Sequence, residues 1–198
     1  MKRACMAALA ATTLNGCAWM LGLDHLPQPL PPFQAVEAER DLRTPDLHVK
    51  ARYLGLGERI VTATTPLGRI ARAVNPYGED SLVFHVTVMN PTDHIALVIP
   101  GEATLEGPSG RKAARTLDDF RRRWPSWAIE TPDHDVDRSA ALEAILQTIL
   151  LDRLVQPNHE VEGRIAFPAY RPGTEMTLKL PVKIEGRRGA LALTWVVR

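Results

Sequence analysis

Leu82-Val83-Phe84-His85-Val86-Thr87-Val88-Met89 alternates with a period of two. Leu82, Phe84, Val86 and Val88 share one face, and Val83, His85, Thr87 and Met89 share the other, as in a half-buried strand. Asn90-Pro91-Thr92-Asp93 closes the run with turn-forming residues. The same period recurs downstream. Ala96 to Ile99 and Ala103 to Leu105 read as short strands, closed by Pro100-Gly101 and by Gly107-Pro108-Ser109-Gly110. Val161, Gly163, Ile165 and Phe167 make one face of a further strand. Met176, Leu178, Leu180, Val182 and Ile184 make another, and Leu191, Leu193, Trp195 and Val197 line the last. Upstream, Ile60 to Ala63 and Ile70 to Val74 are short strand candidates split by Pro66-Leu67-Gly68. About seven strands with turn signals between them predict a mainly β fold, an immunoglobulin-like sandwich.

Two stretches break the period. Residues 34–58 are ambiguous: Gln34 to Leu42 has weak helical spacing, interrupted by Pro45, and Gly55 and Gly57 bracket a turn. Between about 116 and 156 the spacing turns helical. Thr116 is an N-cap candidate with Asp119 three residues on, a variant of the capping box, and this helix should stop before Pro125. A second helix, capped by Asp135 or Asp137, carries Leu142, Ile145, Leu146, Ile149, Leu150 and Leu154 as an apolar stripe. The helical pair is therefore expected as an insertion in a sandwich domain covering residues 34–198.

The first 33 residues read differently. Lys2 and Arg3 precede an Ala-rich apolar run from Ala4 to Leu14, followed by Asn15-Gly16-Cys17. That order is the secretory pattern, and the apolar run is too short to span a bilayer. Leu14-Asn15-Gly16-Cys17 resembles the lipobox of bacterial lipoproteins, with Asn15 in place of the usual small residue. The resemblance implies a signal peptide over 1–16 and acyl chains, palmitate among them, on Cys17. Several chains together anchor stably, at about 0.8 kcal/mol per buried methylene. Ala18, where inner-membrane lipoproteins carry Asp, implies the outer membrane, with the domain facing the periplasm or, as the alternative, the cell surface. Pro27, Pro29, Pro31 and Pro32 make residues 17–33 a tether of polyproline character, or a strap along the domain.

Composition sets further bounds. Removing residues 1–16 leaves roughly 180 residues, enough for one domain. Cys5 leaves with the signal, so the remaining Cys17 has no thiol partner and the domain relies on its core. Acids and bases then balance to within about one charge, which argues against nucleic acid as a partner. No second long apolar run is present.

Two short motifs carry a second resemblance. Val86-Thr87-Val88-Met89-Asn90-Pro91-Thr92 is similar to the strand-then-Asn-Pro opening of immunoglobulin-like domains in bacterial envelope lipoproteins. Glu162-Gly163-Arg164-Ile165-Ala166-Phe167-Pro168 resembles the Gly-x-hydrophobic-x-Phe strand that follows the long insertion in such domains. The telokin-like lipoproteins and the water-stress domain related to late-embryogenesis proteins are the families meant, over residues 80–185. The resemblance implies a sandwich and a non-enzymatic binding or assembly role; fold alone does not fix function.

Candidate sites are few. Arg121-Arg122-Arg123, with Trp124 and Trp127, is a basic aromatic stretch suited to an envelope protein partner, a lipid headgroup or an anionic glycan. The plainer reading packs the tryptophans and solvates the arginines. Asp133, Asp135 and Asp137 have the spacing that opens a calcium loop, but Arg138 replaces its glycine and Ala144 its final glutamate. An acidic helix start is the plainer reading of them. The histidines form no HExxH or HxH pair, although His85 and His94 flank one strand and turn. No Gly-x-Ser-x-Gly elbow and no phosphate loop are present. The expectation is a non-catalytic, cofactor-free interaction module lipidated at Cys17. A ligand- or metal-binding lipoprotein and an envelope hydrolase are the alternatives.

Overall fold

The structure is a computed structural model. It describes residues 35, 37–55, 60–65, 68–74, 76–78, 80–108, 110–123, 141–169 and 175–196. Two sheets pack face to face. The first has the order β1-β2-β5-β10, where β1 is Glu39–Arg43, β2 His48–Gly55, β5 Ser81–Met89 and β10 Glu160–Pro168. Between β2 and β5 a separate hairpin pairs β3, Ile60–Thr65, with β4, Gly68–Val74. The second sheet is built on β11, Glu175–Ile184. One edge of β11 takes β12, Arg187–Val196; the other takes β6, Ala96–Val98, and β7, Thr104–Gly107, in succession. Beyond β6 lies β9, Arg153–Val155, and beyond β7 lies β8, Gly110–Ala113. The pairings β2-β5-β10 and β7-β11-β12 are the A-B-E and C-F-G arrangements of an immunoglobulin sandwich.

Alternation explains the core. Leu82, Phe84, Val86 and Val88 of β5 are fully buried and meet Met176, Leu178, Leu180, Leu193 and Trp195 of the other sheet in one cluster. Phe84 is its centre, with ring centroids 5.2 Å from Tyr53, 5.8 Å from Phe167 and 5.0 Å from Trp195. Trp195 Nε1 donates to the Ala38 carbonyl at 3.2 Å, so the largest buried side chain also satisfies its one polar group. Pro181 stands in the central strand β11 without breaking it, because its neighbour is interrupted there. The 3₁₀ turn Pro100–Glu102 separates β6 from β7, and the Pro181 carbonyl accepts from Ile99 N at 3.0 Å.

The outer face of the first sheet is also partly covered. Val83 and Ala166 are buried under Tyr77, Phe120 and Ile145, the last two contributed by α1, Leu117–Arg123, and by α2, residues 141–148. Residues around these helices also close the outer edge of β10. Arg115 N donates to the Ala166 carbonyl at 2.8 Å and Leu150 N to the Arg164 carbonyl at 2.9 Å. An edge closed in this way offers no template for another strand.

Three expectations are corrected here. The weak helical spacing of Gln34 to Leu42 is not a helix where it is described: β1 begins at Glu39. The predicted helix running to Leu154 stops at residue 148, and Leu154 belongs to β9. Gly110, read as the end of a turn, opens β8.

Tyr53 provides a pH test of the core. Burial pushes its phenol up to about 12 from an ordinary 10. Below pH 10 folded and unfolded states are both protonated, and stability is unaffected. Between pH 10 and 12 the unfolded phenol ionises first, so stability falls by roughly 3 kcal/mol across that window. Urea unfolding of parent and Tyr53→Phe at pH 9 to 12 measures this. The variant should lose less stability over the window; equal losses would remove Tyr53 from the account.

Candidate functional site

Helix α1 forms because its first turn is closed on both sides. Thr116 N donates to Asp119 Oδ2 at 2.8 Å and Asp119 N donates to Thr116 Oγ1 at 3.2 Å, which completes the capping box read from sequence. Phe120 anchors the helix, packing edge-on to Tyr77 at 5.3 Å. The adjacent residues therefore face outward. Arg121 Nη1 meets Asp118 Oδ1 at 3.2 Å, and Arg122 Nη2 meets Asp119 Oδ1 at 3.1 Å. Both guanidinium groups stay largely in solvent.

Beside the helix lies an open depression of about 390 Å³, lined by Ala113, Ala114, Arg115, Asp119, Arg122 and Pro168. Arg115 forms its wall. Its side chain is only 12% exposed, and Nη2 donates to Asp80 Oδ2 at 3.2 Å and to the Asp80 carbonyl at 3.3 Å. Its Nε is buried without a partner among the described residues. Burial lowers the Arg115 pKa, and the charge of Asp119 opposes that shift. The Asp119 carboxyl is held below its usual range by the backbone and hydroxyl donors of Thr116, with Arg122 adding to them. The depression thus combines two guanidinium groups, Arg115 and Arg122, with the single carboxylate of Asp119. Chemically it can exchange one carboxylate partner for another at Arg122, and the neighbouring Arg121 can do the same.

Asp119→Ala removes the acceptor for Thr116 N and the partner of Arg122. Thermal unfolding should show a loss of about 1 kcal/mol, a fall in Tm of roughly 2–4 °C. In the parent, this contribution is present above the ordinary carboxylate range and disappears as pH falls through the lowered Asp119 value. A variant unchanged at pH 7 would show that the cap contributes nothing.

Of the residues singled out by sequence, Arg121 and Arg122 lie on one exposed strip, and Arg123 ends α1. Cys17, Trp124, Trp127, Asp133, Asp135 and Asp137 lie outside the described residues. His85 and His94 keep separate partners: His85 faces Glu162 at 3.4 Å, while His94 sits between Asp93 at 3.2 Å and Glu185 at 3.1 Å. Among the described residues no three His, Cys, Asp or Glu side chains are grouped to hold a metal. Ser81 is buried and donates to the Tyr77 carbonyl. Arg115 and Asp80 were not read from sequence; 35 residues separate them, and no local pattern joins them.

The two motifs behind the family resemblance are architectural. Asn90 is fully buried, and its side chain binds the His94 and Val155 carbonyls at 2.6 and 3.0 Å and both Thr92 donors. Gly163 faces the Leu150 backbone so closely that a Cβ would meet it at 2.9 Å.

No known protein family matches the chain, and no curated protein matches it. Two solved structures are similar over much of its length. One is the yjhA protein of Bacillus subtilis, with 10% identity and a TM-score of 0.37, covering 71% of this chain and 76% of that one. The other is the ycdA protein of Bacillus subtilis, assigned provisionally as a lipoprotein, with 14% identity and a TM-score of 0.40. The match covers 82% of this chain but only 38% of that protein, so the chain spans well under half of its length.

Proposed function

We propose that the chain is an outer-membrane lipoprotein whose sandwich acts as a non-catalytic interaction module of the cell envelope. One observation carries the reading: the order Lys2-Arg3, apolar Ala4 to Leu14, then Gly16-Cys17. Among the described residues no helix is long and apolar enough to cross a membrane, so an acyl anchor supplies membrane attachment under this reading. The strip Arg121–Arg123 is the contact surface. An acidic partner replaces Asp118 and Asp119 as the counter-charge, and bidentate guanidinium pairing gives the contact its geometry.

The first experiment follows labelled palmitate into parent and Cys17→Ser protein and fractionates the membranes. Label and outer-membrane location should both depend on Cys17; an unlabelled or freely soluble parent would reject the anchor. Crosslinking in the native host then compares the parent with an Arg121→Gln, Arg122→Gln, Arg123→Gln triple variant. Glutamine is preferable to glutamate, because glutamates at 121 and 122 would stand against Asp118 and Asp119 and weaken α1 itself. An envelope partner captured by the parent and lost in the variant supports the surface; identical captures count against it.

A further inference from the structure

Positive charge is concentrated around helix α1. Of the 13 residues from Arg111 to Arg123, six are basic and two acidic, in a chain whose 24 basic and 23 acidic residues as a whole balance. The depression beside α1 opens within that segment, and its lining has two kinds of surface. Ala113, Ala114 and Pro168 are apolar, while Arg115 and Arg122 present guanidinium groups. At about 390 Å³ and open to solvent, it has the room of one long side chain and does not enclose a whole small molecule.

The two arginines differ in how they are held. Arg115 is fixed. Its side chain is 12% exposed, its backbone N donates to the Ala166 carbonyl, and Nη2 is held by Asp80. Among the described residues its side-chain hydrogen bonds all leave from Nη2. Arg122 is 76% exposed and meets Asp119 Oδ1 through Nη2 alone. The other Asp119 oxygen takes both Thr116 donors, each at 2.8 Å. Arg122 can therefore leave Asp119 without undoing the helix cap.

We infer that the depression is a subsite for one acidic side chain of a peptide partner, whose carboxylate displaces Asp119 from Arg122 and whose methylenes lie on Ala113, Ala114 and Pro168. This rests on the contact-surface reading above and adds the pocket that makes that surface selective. Asp119 shows the chemistry: a carboxylate of the chain itself already occupies Arg122 with one oxygen. A guest carboxylate offers two, and bidentate pairing is the stronger contact. Arg122 is neutralised before and after the exchange, so a solvent-exposed swap alone contributes little. The gain comes from the apolar floor and from Arg115, a second cation already held in place before the guest arrives.

The test measures anisotropy of a short peptide alternating Ser and Glu, with blocked ends and an uncharged dye, against full-length protein in a nonionic detergent. A Gln counterpart is the control. Arg115 is left unchanged, because its loss would strand Asp80. Ala113→Leu fills the floor at an exposed position of β8 and alters no charge. The parent should bind the Glu peptide and not the Gln peptide. Ala113→Leu and Arg122→Gln should each weaken binding at least about tenfold. A double Arg121→Gln, Arg123→Gln variant should weaken it less than Arg122→Gln alone, although it removes twice the charge. Thermal unfolding of each variant confirms that the fold is kept. If Ala113→Leu binds as the parent does and the double variant does not, the depression is not the subsite, while the strip Arg121–Arg123 stands as a contact surface. If the parent ignores the Glu peptide, the subsite is overturned, and crosslinking in the native host still decides the strip by itself. Displacement of the peptide by inorganic phosphate more readily than by acetate, at matched ionic strength, would make this a phosphate site and overturn the carboxylate assignment.

Discussion

Asn90→Ala unfolds with a stability loss of about 3 kcal/mol, a fall in Tm of roughly 6–12 °C. The size follows from how fully this side chain is used. Its Nδ2 donates to the carbonyls of His94 and Val155, and its Oδ1 accepts from the N–H and hydroxyl of Thr92. Its own N–H donates to the His159 carbonyl at 2.9 Å, and its carbonyl accepts from Asn158 N at 2.7 Å. One buried residue thus holds the turn after β5 against the chain leading into β10. Alanine keeps the backbone bonds and leaves the side-chain partners unpaired in a site from which water is largely excluded. An unmade buried hydrogen bond costs more than a made one contributes.

Asn90→Asp separates the two halves of that network. It preserves acceptors for Thr92 but sets a carboxylate against the His94 and Val155 carbonyls. The cost at pH 7 should therefore exceed that of alanine and shrink as the pH falls and the carboxyl becomes protonated. Urea unfolding of the three proteins at pH 7 and pH 4 decides the matter. A variant within 0.5 kcal/mol of the parent at pH 7 would mean that the turn is held by its backbone bonds alone.

What could be read in advance was set by where burial is one-sided. Strands β11 and β12 alternate cleanly because only their inner faces meet the core, whereas in β10 Ala166 is also buried, from outside, by the helices. In β5 the alternation fails at Val83, which the helices cover from outside. Strand β2 alternates too, through Val49, Ala51 and Tyr53, but Lys50 and Arg52 between them and the preceding Glu- and Ala-rich run weaken the signal. Strand β1 has no apolar face to read. The apolar stripe beyond residue 148 misleads because it serves two elements: Leu150 enters the core as the chain leaves the helix, and Leu154 stands exposed on β9.

The candidate surface was legible only as a run of charge. Local spacing identifies Asp118 and Asp119 as the partners of Arg121 and Arg122, since residues three apart on a helix are neighbours. It gives no sign of Arg115 and Asp80, which meet because β5 and the segment before α1 flank the same end of β10. Nor does it separate a motif kept for binding from one kept for closure. Asn90 and Gly163 looked like family features; in the fold they fix the chain between residues 149 and 159 onto the first sheet.

Gly163→Ala carries the second large effect, also about 3 kcal/mol, and Gly163→Val prevents folding. The cause is a close approach between two backbones. Gly163 lies in β10 opposite Val86, and a Cβ built on it would stand 2.9 Å from the Cα, Cβ and N of Leu150. These atoms cannot rotate aside as the tip of a long side chain would. Leu150 is held by its own N–H on the Arg164 carbonyl at 2.9 Å, and Ile149 bridges Arg164 in parallel. An added methyl group must therefore push residues 149–150 off β10. That exposes the β10 edge and withdraws Leu150, which is 4% exposed, from the core. Gly189→Ala is the control. It is also a strand glycine, but its Cβ would meet only Val182 Cγ2 at 4.0 Å, so alanine there should be neutral or stabilising by about 0.5–1 kcal/mol. Hydrogen exchange at Leu150 supplies the local readout. In Gly163→Ala its amide should lose protection while the amides of β11 keep theirs at temperatures well below the lowered Tm. If both variants unfold with the parent, residues 149–150 are not seated on β10, and some other feature protects that edge.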